Sequence, residues 1–298
     1  MTRKISFIAA GTLTLAALAL VSPVSAHHNN DAQAAGERTI YVSVMNSASG
    51  APIADMKAEE FVIKEDGAPR EVVSAKRATA AVNYALLVDT STLAIPATID
   101  IREAVKGFCE LLLSAEPKTK ISLTDFGGVA MPRRPFTSSI TELEESIGKL
   151  VPTKSSPVLN EAIVTTAKDM AKMPADARKV IIALSIEPAP DKSGMEQQFV
   201  GEEVRKSGVT VWSVSVADGG KRDSARENLM KIISINSGGR AMTIQNRNQL
   251  SEVMRVFAAN SFSQYAVTIK GAADKVKMTD VTVTRPESVA LAMKWSSK

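Results

Sequence analysis

The sequence predicts an α/β fold in which a mostly parallel β-sheet carries helices on both faces and is joined to a small all-β module. First, residues 81–88 form an apolar run, interrupted only by Asn83, that ends abruptly at Asp89. Such a run is typical of a strand that is covered on both faces. Second, strand-like runs alternate with amphipathic helical patterns between residues 80 and 260, which predicts parallel strands joined by helices. Third, alternating apolar residues precede and follow this region, which predicts β-structure at both ends.

The first 26 residues have the pattern of a secretory signal peptide. Arg3 and Lys4 precede an apolar segment from Ile5 to Val21, and Val24-Ser25-Ala26 then supplies the small residues that signal peptidase accepts. The apolar segment approaches the length of a membrane-spanning helix, so an uncleaved anchor is the alternative. Cleavage would leave 272 residues with a formal net charge of +2 instead of +4 and no further membrane span. The basic residues are interspersed with acidic ones, which does not favour nucleic-acid binding.

A polar lead-in at residues 27–36 and a short β segment at residues 37–79 follow the leader. The lead-in has no periodicity and predicts a flexible segment. Residues 40–44 then alternate between apolar and polar, which predicts a strand. The runs 61–64 and 69–75, separated by a tight turn, predict a hairpin. This segment is too short to bury a core by itself and needs a partner elsewhere in the chain.

Residues 80–260 are predicted to form the α/β domain. The predicted strands are short, mainly apolar runs, at 81–88, 120–126, 129–136, 179–184, 209–216 and 240–243. Helices are predicted between them from three- and four-residue apolar spacings, and Pro96 is placed to begin the first. Ser224 with Glu227 has the spacing of a capping box that opens a later helix. Gly208 is a favoured residue for ending another.

Residues 261–298 return to β patterns. Residues 265–269 and 281–283 alternate, and a last strand is predicted at 289–293. Because this tail and residues 37–79 are each too small to fold alone, we expect them to complete one β-sandwich-like module around the inserted α/β domain.

The residues needed for common enzyme mechanisms are missing from the predicted folded part. The only histidines, His27 and His28, precede it, so no imidazole base can activate Ser91. The first strand of the α/β region is followed by Asp-Thr-Ser-Thr-Leu instead of the glycine-rich turn of a dinucleotide site. Cys109 is the single cysteine, so no intramolecular disulfide can form, and its helical, apolar context predicts a buried thiol. These observations predict a protein that is not an enzyme and needs no cofactor.

Three local patterns, in this order and spacing, carry a resemblance to a known family. They are Phe61-Val62-Ile63-Lys64-Glu65-Asp66-Gly67, Asp89-Thr90-Ser91, and Ser237-Gly238-Gly239-Arg240 after an amphipathic helix. With them, nearly all of the mature chain resembles the von Willebrand factor A (VWA) domain, in particular the exported bacterial proteins in which a β segment precedes it. The resemblance implies a six-stranded, Rossmann-like sheet with one antiparallel edge strand, which binds protein ligands through a divalent cation.

The resemblance also implies a metal-ion-dependent adhesion site, but the sequence preserves it only in part. The family site uses an Asp-x-Ser-x-Ser loop, a threonine from a second loop and an aspartate after the fourth strand. Asp89 and Ser91 match the first two positions. The other three positions hold residues without a suitable side-chain oxygen, namely Leu93, Pro157 and Ile186.

Two neighbouring residues could replace lost ligands. Ser156 and Glu187 each lie one residue from a lost position and could bind Mg²⁺ or Mn²⁺ if their loops shift. A magnesium ion requires near-ideal octahedral oxygen geometry, which one hydroxyl and one carboxylate do not supply. In the alternative, Asp89 and Ser91 are satisfied by loop hydrogen bonds and cap the helix near Pro96.

The sequence therefore predicts an exported, periplasmic or extracellular bacterial module that binds a protein partner without metal. Two alternatives stay open: a metal-dependent adhesion domain with shifted ligands, and a structural or envelope-assembly protein that uses its β edges. The predicted partner-binding face combines the loops after three stretches of the α/β domain, and its residues are Asp89, Ser91, Leu93, Ser155, Ser156, Pro157, Ile186 and Glu187.

Overall fold

The computed structural model describes residues 36–174, 176–188, 190–271 and 276–295. The predicted signal peptide and all of the lead-in except Gly36 lie outside these residues. Within the described ranges, no helix combines the length and the apolar composition that a membrane span requires.

The N-terminal β segment forms four strands. They are β1 (Glu37–Asn46), β2 (Phe61–Glu65), β3 (Ala68–Arg70) and β4 (Val72–Arg77). β2 and β3 pair as a hairpin, as predicted, but the predicted second arm at residues 69–75 is divided at Glu71. β4 pairs instead with a strand near residue 268. A local hairpin pattern cannot reveal this division, because the competing partner lies far along the chain.

The central sheet is six-stranded and mostly parallel, which confirms the predicted fold class. Its strands are β5 (Val82–Val88), β6 (Lys120–Asp125), β7 (Met131–Thr137), β8 (Arg178–Ile186), β9 (Thr210–Val216) and β10 (Ala241–Ile244). Their order is β10-β9-β8-β5-β6-β7, and β7 is the one antiparallel strand among them. β5 therefore lies inside the sheet, between β6 and β8.

Helices cover both faces of this sheet. They are α1 (Thr98–Ala115), α2 (Ile140–Gly148), α3 (Leu159–Ala171), α4 (Gln197–Ser207), α5 (Ser224–Asn236) and α6 (Leu250–Phe262). Alternate β5 residues enter different cores: Tyr84 and Leu86 pack with α1, α2 and α6, whereas Ala85 and Leu87 pack with α3, α4 and α5. This division explains why the β5 sequence is apolar at nearly every position.

The first helix begins differently from the prediction. Residues 92–97 form a 3₁₀ helix that contains Pro96, and α1 begins only at Thr98. Pro96 lacks an N–H but fits the early turns of a helix, so it is compatible with both arrangements. The predicted end of α4 is confirmed, because Gly208 follows it in the left-handed conformation with φ of 65°.

Strands from both ends of the chain combine in antiparallel sheets. The C-terminal strands are β11 (Tyr265–Lys270), β12 (Thr279–Val283) and β13 (Ser288–Ala292). One sheet has the order β13-β1-β11-β4, and a second has the order β12-β2-β3. Their shared apolar core includes Val42, Phe61, Ile63 and Val267. The N- and C-terminal segments thus form the predicted all-β module together.

A buried carboxylate lies next to a contact between the N- and C-terminal β segments. The Glu65 side chain has no exposed surface and forms ion pairs with Arg38 and with Arg70, whose Nε lies 2.8 Å from Glu65 Oε2. Arg38 also donates to the hydroxyl of Thr279 in β12 at 3.0 Å. The pairing of a buried charge from two sides offsets its loss of hydration.

Candidate functional site

Three carboxylates lie at the carboxyl ends of three adjacent strands of the central sheet. Asp89 follows β5, Asp125 ends β6 and Glu187 follows β8. Their exposed fractions are only 1%, 2% and 4%, respectively. Because a buried ionised group needs hydrogen-bond or ionic partners, the contacts of each carboxylate decide what this end of the sheet can bind.

Asp89 joins β5 to β8. Its Oδ1 accepts a hydrogen bond from the N–H of Ser91 at 2.8 Å, and its Oδ2 accepts one from the N–H of Ile186 at 3.0 Å. Burial raises the pKa of Asp89, while the hydrogen bonds from Ile186 and Ser91 and the charge of Arg226 oppose this rise. Both carboxylate oxygens are therefore occupied by backbone donors of the chain itself.

The hydroxyls that follow Asp89 are buried without well-formed partners. Ser91 precedes the 3₁₀ helix, but its side chain makes no capping hydrogen bond, so the expectation that it caps this helix is wrong. Among the described residues, Ser91 Oγ and Thr90 Oγ1 have no hydrogen-bond partner of normal geometry. Each nevertheless lies near enough to a carboxylate, Asp89 and Asp125 respectively, to lower its pKa.

Asp125 is paired with an arginine from the neighbouring edge strand. Arg133 Nε in β7 lies 2.7 Å from Asp125 Oδ2. Burial raises the pKa of Asp125, and the hydrogen bond and charge of Arg133 oppose this rise. The Arg133 side chain is 36% exposed, so the pair connects the buried carboxylate with the surface.

Glu187 is held by a second, fully buried arginine. Arg226 Nη2 in α5 lies 2.7 Å from Glu187 Oε1, and the two side chains are 2% and 1% exposed. The same nitrogen donates to the carbonyl of Ile186 at 2.7 Å, and Glu187 Oε2 accepts from the N–H of Asp223 at 2.9 Å. Ile186 therefore links Asp89 and Arg226 through its own peptide groups. The chain places a permanent positive charge beneath the loops.

Arg226 was missed in the sequence, although the sequence carries a signal for it. Arg226, Met230 and Ile233 follow the i, i+4, i+7 spacing of one helical face, and all three are buried. The predicted capping box at Ser224 and Glu227 is wrong: Asp223 caps α5 by accepting from the N–H of Arg226 at 2.9 Å. Asp223 lies one residue before the predicted cap, Ser224, and its carboxylate is a strong capping group.

The loop between α2 and α3 contacts the loops after β5 and β6 mainly through its backbone. The N–H of Thr92 donates to the carbonyl of Ser155 at 3.0 Å, and the N–H of Gly128 donates to the carbonyl of Ser156 at 2.9 Å. Thr153, which sequence reasoning did not select, donates its hydroxyl to the carbonyls of Thr90 at 3.1 Å and Gly127 at 3.0 Å. Hydrogen bonds thus join the loops after β5, β6 and α2.

These residues do not fit an octahedral divalent cation. Both oxygens of Asp89 accept backbone N–H groups, and Glu187, predicted as a substitute ligand, is paired with Arg226. Pro157 and Ile186 offer only carbonyl oxygens, and both of these carbonyls accept hydrogen bonds, from Lys192 N–H and from Arg226. At the positions predicted to hold the ion, the remaining side-chain oxygens are the hydroxyls of Ser91 and Ser156, fewer than magnesium requires. Within the described ranges, no cluster of three or more acidic, histidine or cysteine side chains could hold a metal.

The predicted partner-binding face is largely beneath the surface. Only Ser156 of its eight residues is exposed, and Leu93 and Ser155 are partly exposed. The other five are buried, namely Asp89, Ser91, Pro157, Ile186 and Glu187. The carboxylates of Asp89 and Glu187 position the loops, because both are used for internal hydrogen bonds.

Apolar side chains project from the same loops instead. Ile95, Val129 and Val151 are 54%, 56% and 60% exposed. They lie on the three loops that the hydrogen bonds of Thr92, Thr153 and Gly128 join, and we refer to them as the apolar rim. Exposed apolar residues on neighbouring loops are candidates for a protein-interaction surface.

The close approach of Gly127 to Thr90 gives a first prediction. A Cβ atom at residue 127 would lie 2.4 Å from the carbonyl oxygen of Thr90 and 2.7 Å from Thr153 Oγ1. We expect Gly127→Ala to separate the loops and to lower the free energy of unfolding by about 1–3 kcal/mol. Urea denaturation of the two proteins measures this difference.

Gly107→Ala is the matched control. Gly107 lies in α1, and a Cβ atom there would meet nothing within 4 Å. Because alanine favours helix, this variant should gain up to about 1 kcal/mol. Equal urea midpoints for Gly127→Ala and the wild type would contradict the tight loop packing.

A family model and several solved structures resemble this chain. The family model described as the von Willebrand factor type A domain matches residues 85–256, more than half of the chain. No curated protein matches the chain. Among solved structures, a proximal thread matrix protein 1 from the mussel byssus, described with a zinc-occupied MIDAS motif, aligns with a TM-score of 0.51 and 14% identity; the match covers 67% of this chain and 50% of that one. BatB from Bacteroides thetaiotaomicron aligns with a TM-score of 0.49 and 13% identity over 61% of this chain and 99% of its own.

Proposed function

Because the chain belongs to the von Willebrand factor type A domain family, we propose that it is an exported, non-enzymatic module that binds a protein partner without a metal ion. Domains of this family are in general interaction modules, which supports the coarser part of the proposal. The leader pattern of residues 1–26 supports export to the periplasm or beyond. No histidine lies in the described part of the chain, which supports the absence of common hydrolytic chemistry.

The buried pair of Arg226 and Glu187 is the observation that carries the metal-free part of the proposal. In a metal-dependent site, a divalent cation offsets the charge of the surrounding carboxylates. Here the Arg226 guanidinium offsets the charge of Glu187 directly, and its charge opposes part of the rise that burial causes in the pKa of Asp89. A guanidinium remains charged at any relevant pH, so this neutralisation is permanent.

The apolar rim supplies the contact surface in this proposal. Ile95, Val129 and Val151 lose water-exposed apolar area when a partner covers them, which favours association. The hydrogen bonds beneath them hold the three loops in one arrangement, so little conformational entropy is lost on binding. The proposed binding energy thus comes from apolar burial on a preorganised surface.

Capture of envelope proteins with rim variants tests this function. We expect the immobilised mature protein to retain one or more specific proteins equally well with and without EDTA. Val129→Glu and Val151→Glu place a charge in the proposed contact and should reduce this capture by about tenfold or more. Mass spectrometry of the eluted proteins, with urea midpoints of each variant, measures both binding and folding.

Ile232→Glu is the matched control for these variants. Ile232 is 58% exposed and lies on α5, outside the apolar rim. It should leave capture unchanged. Loss of capture in EDTA would favour the metal-dependent alternative. Capture that survives both rim variants would exclude the rim as the contact surface.

A further inference from the structure

A cleft of about 410 Å³ lies at the opposite edge of the central sheet from β7. It lies between α5, β10 and β13, and its apolar walls include Met230, Met242, Val289 and Leu291. None of the residues of the apolar rim lines it. We call this feature the β10 cleft. It is a different site from the apolar rim.

The backbone of β10 is open toward this cleft. The N–H of Ser213 donates to the carbonyl of Arg240 at 2.9 Å, and the N–H of Ala217 donates to that of Ile244 at 2.8 Å. Even-numbered residues of β10 therefore bond to β9. In a parallel pair the odd-numbered residues, Ala241 and Thr243, direct their N–H and C=O groups away from it. β10 ends the sheet, so within the described residues no further strand satisfies these groups.

The charged residues that line the cleft differ in whether they have an ion-pair partner. Glu227 is already paired with Arg222 at 3.0 Å and also accepts from the hydroxyl of Thr243 at 3.3 Å. Lys231 and Arg240 form no ion pair with any described residue. The polar contact of Arg240 Nη1 is with the sulfur of Met45 at 3.5 Å. The cleft thus combines apolar walls with two cations that lack an acidic partner.

We propose that the β10 cleft binds the carboxyl-terminal end of a partner polypeptide as an added β-strand. An extended peptide antiparallel to β10 would pair with Ala241 and Thr243 and place its last residue near Arg240, which immediately precedes β10. Its apolar final side chain fills the cleft, and its terminal carboxylate bonds to Arg240 and Lys231. A fatty acid would match the walls and the cations, but it would leave the backbone groups of β10 without partners. This inference goes beyond the proposed function of the loops.

A displayed peptide library provides the test. The probe is a library of random heptapeptides with free carboxyl termini, selected on the immobilised mature protein. We expect enrichment of sequences with an apolar last residue. A synthetic copy of an enriched peptide should bind at least about tenfold more weakly when its carboxylate is converted to an amide, because the charge-assisted bonds are lost. Amide hydrogen exchange at Thr243 should slow when the free-acid peptide binds.

Variants of Lys231 and Arg240 test whether the peptide binds in the β10 cleft. Lys231→Gln removes an exposed charge and should reduce the affinity for the free-acid peptide to that for its amide. Arg240→Gln should have the same effect, provided that its urea midpoint shows it to be folded. Lys118→Gln, an exposed change before β6, should have no effect. Absence of enrichment, equal binding of acid and amide, or full binding by Lys231→Gln would overturn the proposal. Binding of dodecanoate in place of peptide, weakened by Lys231→Gln, would also overturn it.

Discussion

Replacement of Arg226 by methionine is expected to lower the free energy of unfolding by about 3–5 kcal/mol, a typical loss when one partner of a buried ion pair is removed. Methionine fills a similar volume, so the loss does not come mainly from a cavity. It comes from Glu187, which would keep a buried negative charge beside Asp89 without its partner. The carbonyl of Ile186 would also lose its hydrogen bond from Arg226. Urea denaturation monitored by circular dichroism measures the change.

A double variant and a surface variant are the controls for Arg226→Met. Adding Glu187→Gln to it removes the unpaired charge while keeping an acceptor for the N–H of Asp223, so it should recover a large part of the lost stability. Arg255→Met removes an exposed arginine that pairs with Glu252 and should cause no measurable loss. A double variant as unstable as the single one would show that the charge of Glu187 is not the cause.

The sequence predicted the central sheet well because its signals are local. The apolar runs that became β5, β8 and β9 are fully buried, and a parallel sheet covered on both faces requires such runs. The errors have two different causes, one local and one distant along the chain. Pro96 suits a 3₁₀ turn as well as a first helical turn, and the strand predicted at 69–75 was divided by a partner strand far along the chain.

The candidate site was only partly predictable because its decisive contact is not local. Asp89 is recognisable, since a carboxylate that directly follows a buried apolar run lies where open α/β sheets bind ligands. Glu187 and Arg226 lie 39 residues apart, and no spacing rule connects a strand end with a helix three elements later. Arg226 could have been selected by its place on the buried face of α5. An arginine at such a position, however, is ordinarily interpreted as part of a solvated face.

Removal of the C-terminal strands is expected to have the largest effect. A chain that ends at residue 271 lacks β12 and β13, which pair with β2 and β1 in the two antiparallel sheets. It also loses the apolar contacts of Val281, Val283 and Ala292 with the core of the β module. Burial of such side chains contributes about 1.5–3 kcal/mol for each large one. We therefore expect a loss on the order of 5 kcal/mol or more, comparable with the whole stability of many domains.

Amide hydrogen exchange shows whether this truncation unfolds only the β module or the central sheet as well. The amides of β1 and β2 should lose their protection, because their partner strands are gone, while those of β5 and β8 keep theirs if the central sheet survives. A chain that ends at Trp295 is the matched control, since it retains every described strand and should unfold at the wild-type urea concentration. Equal midpoints for the chain ending at residue 271 and the full mature chain would mean that residues 37–79 do not depend on the tail. The two β segments would then not form one cooperative module, whatever strand pairs they share.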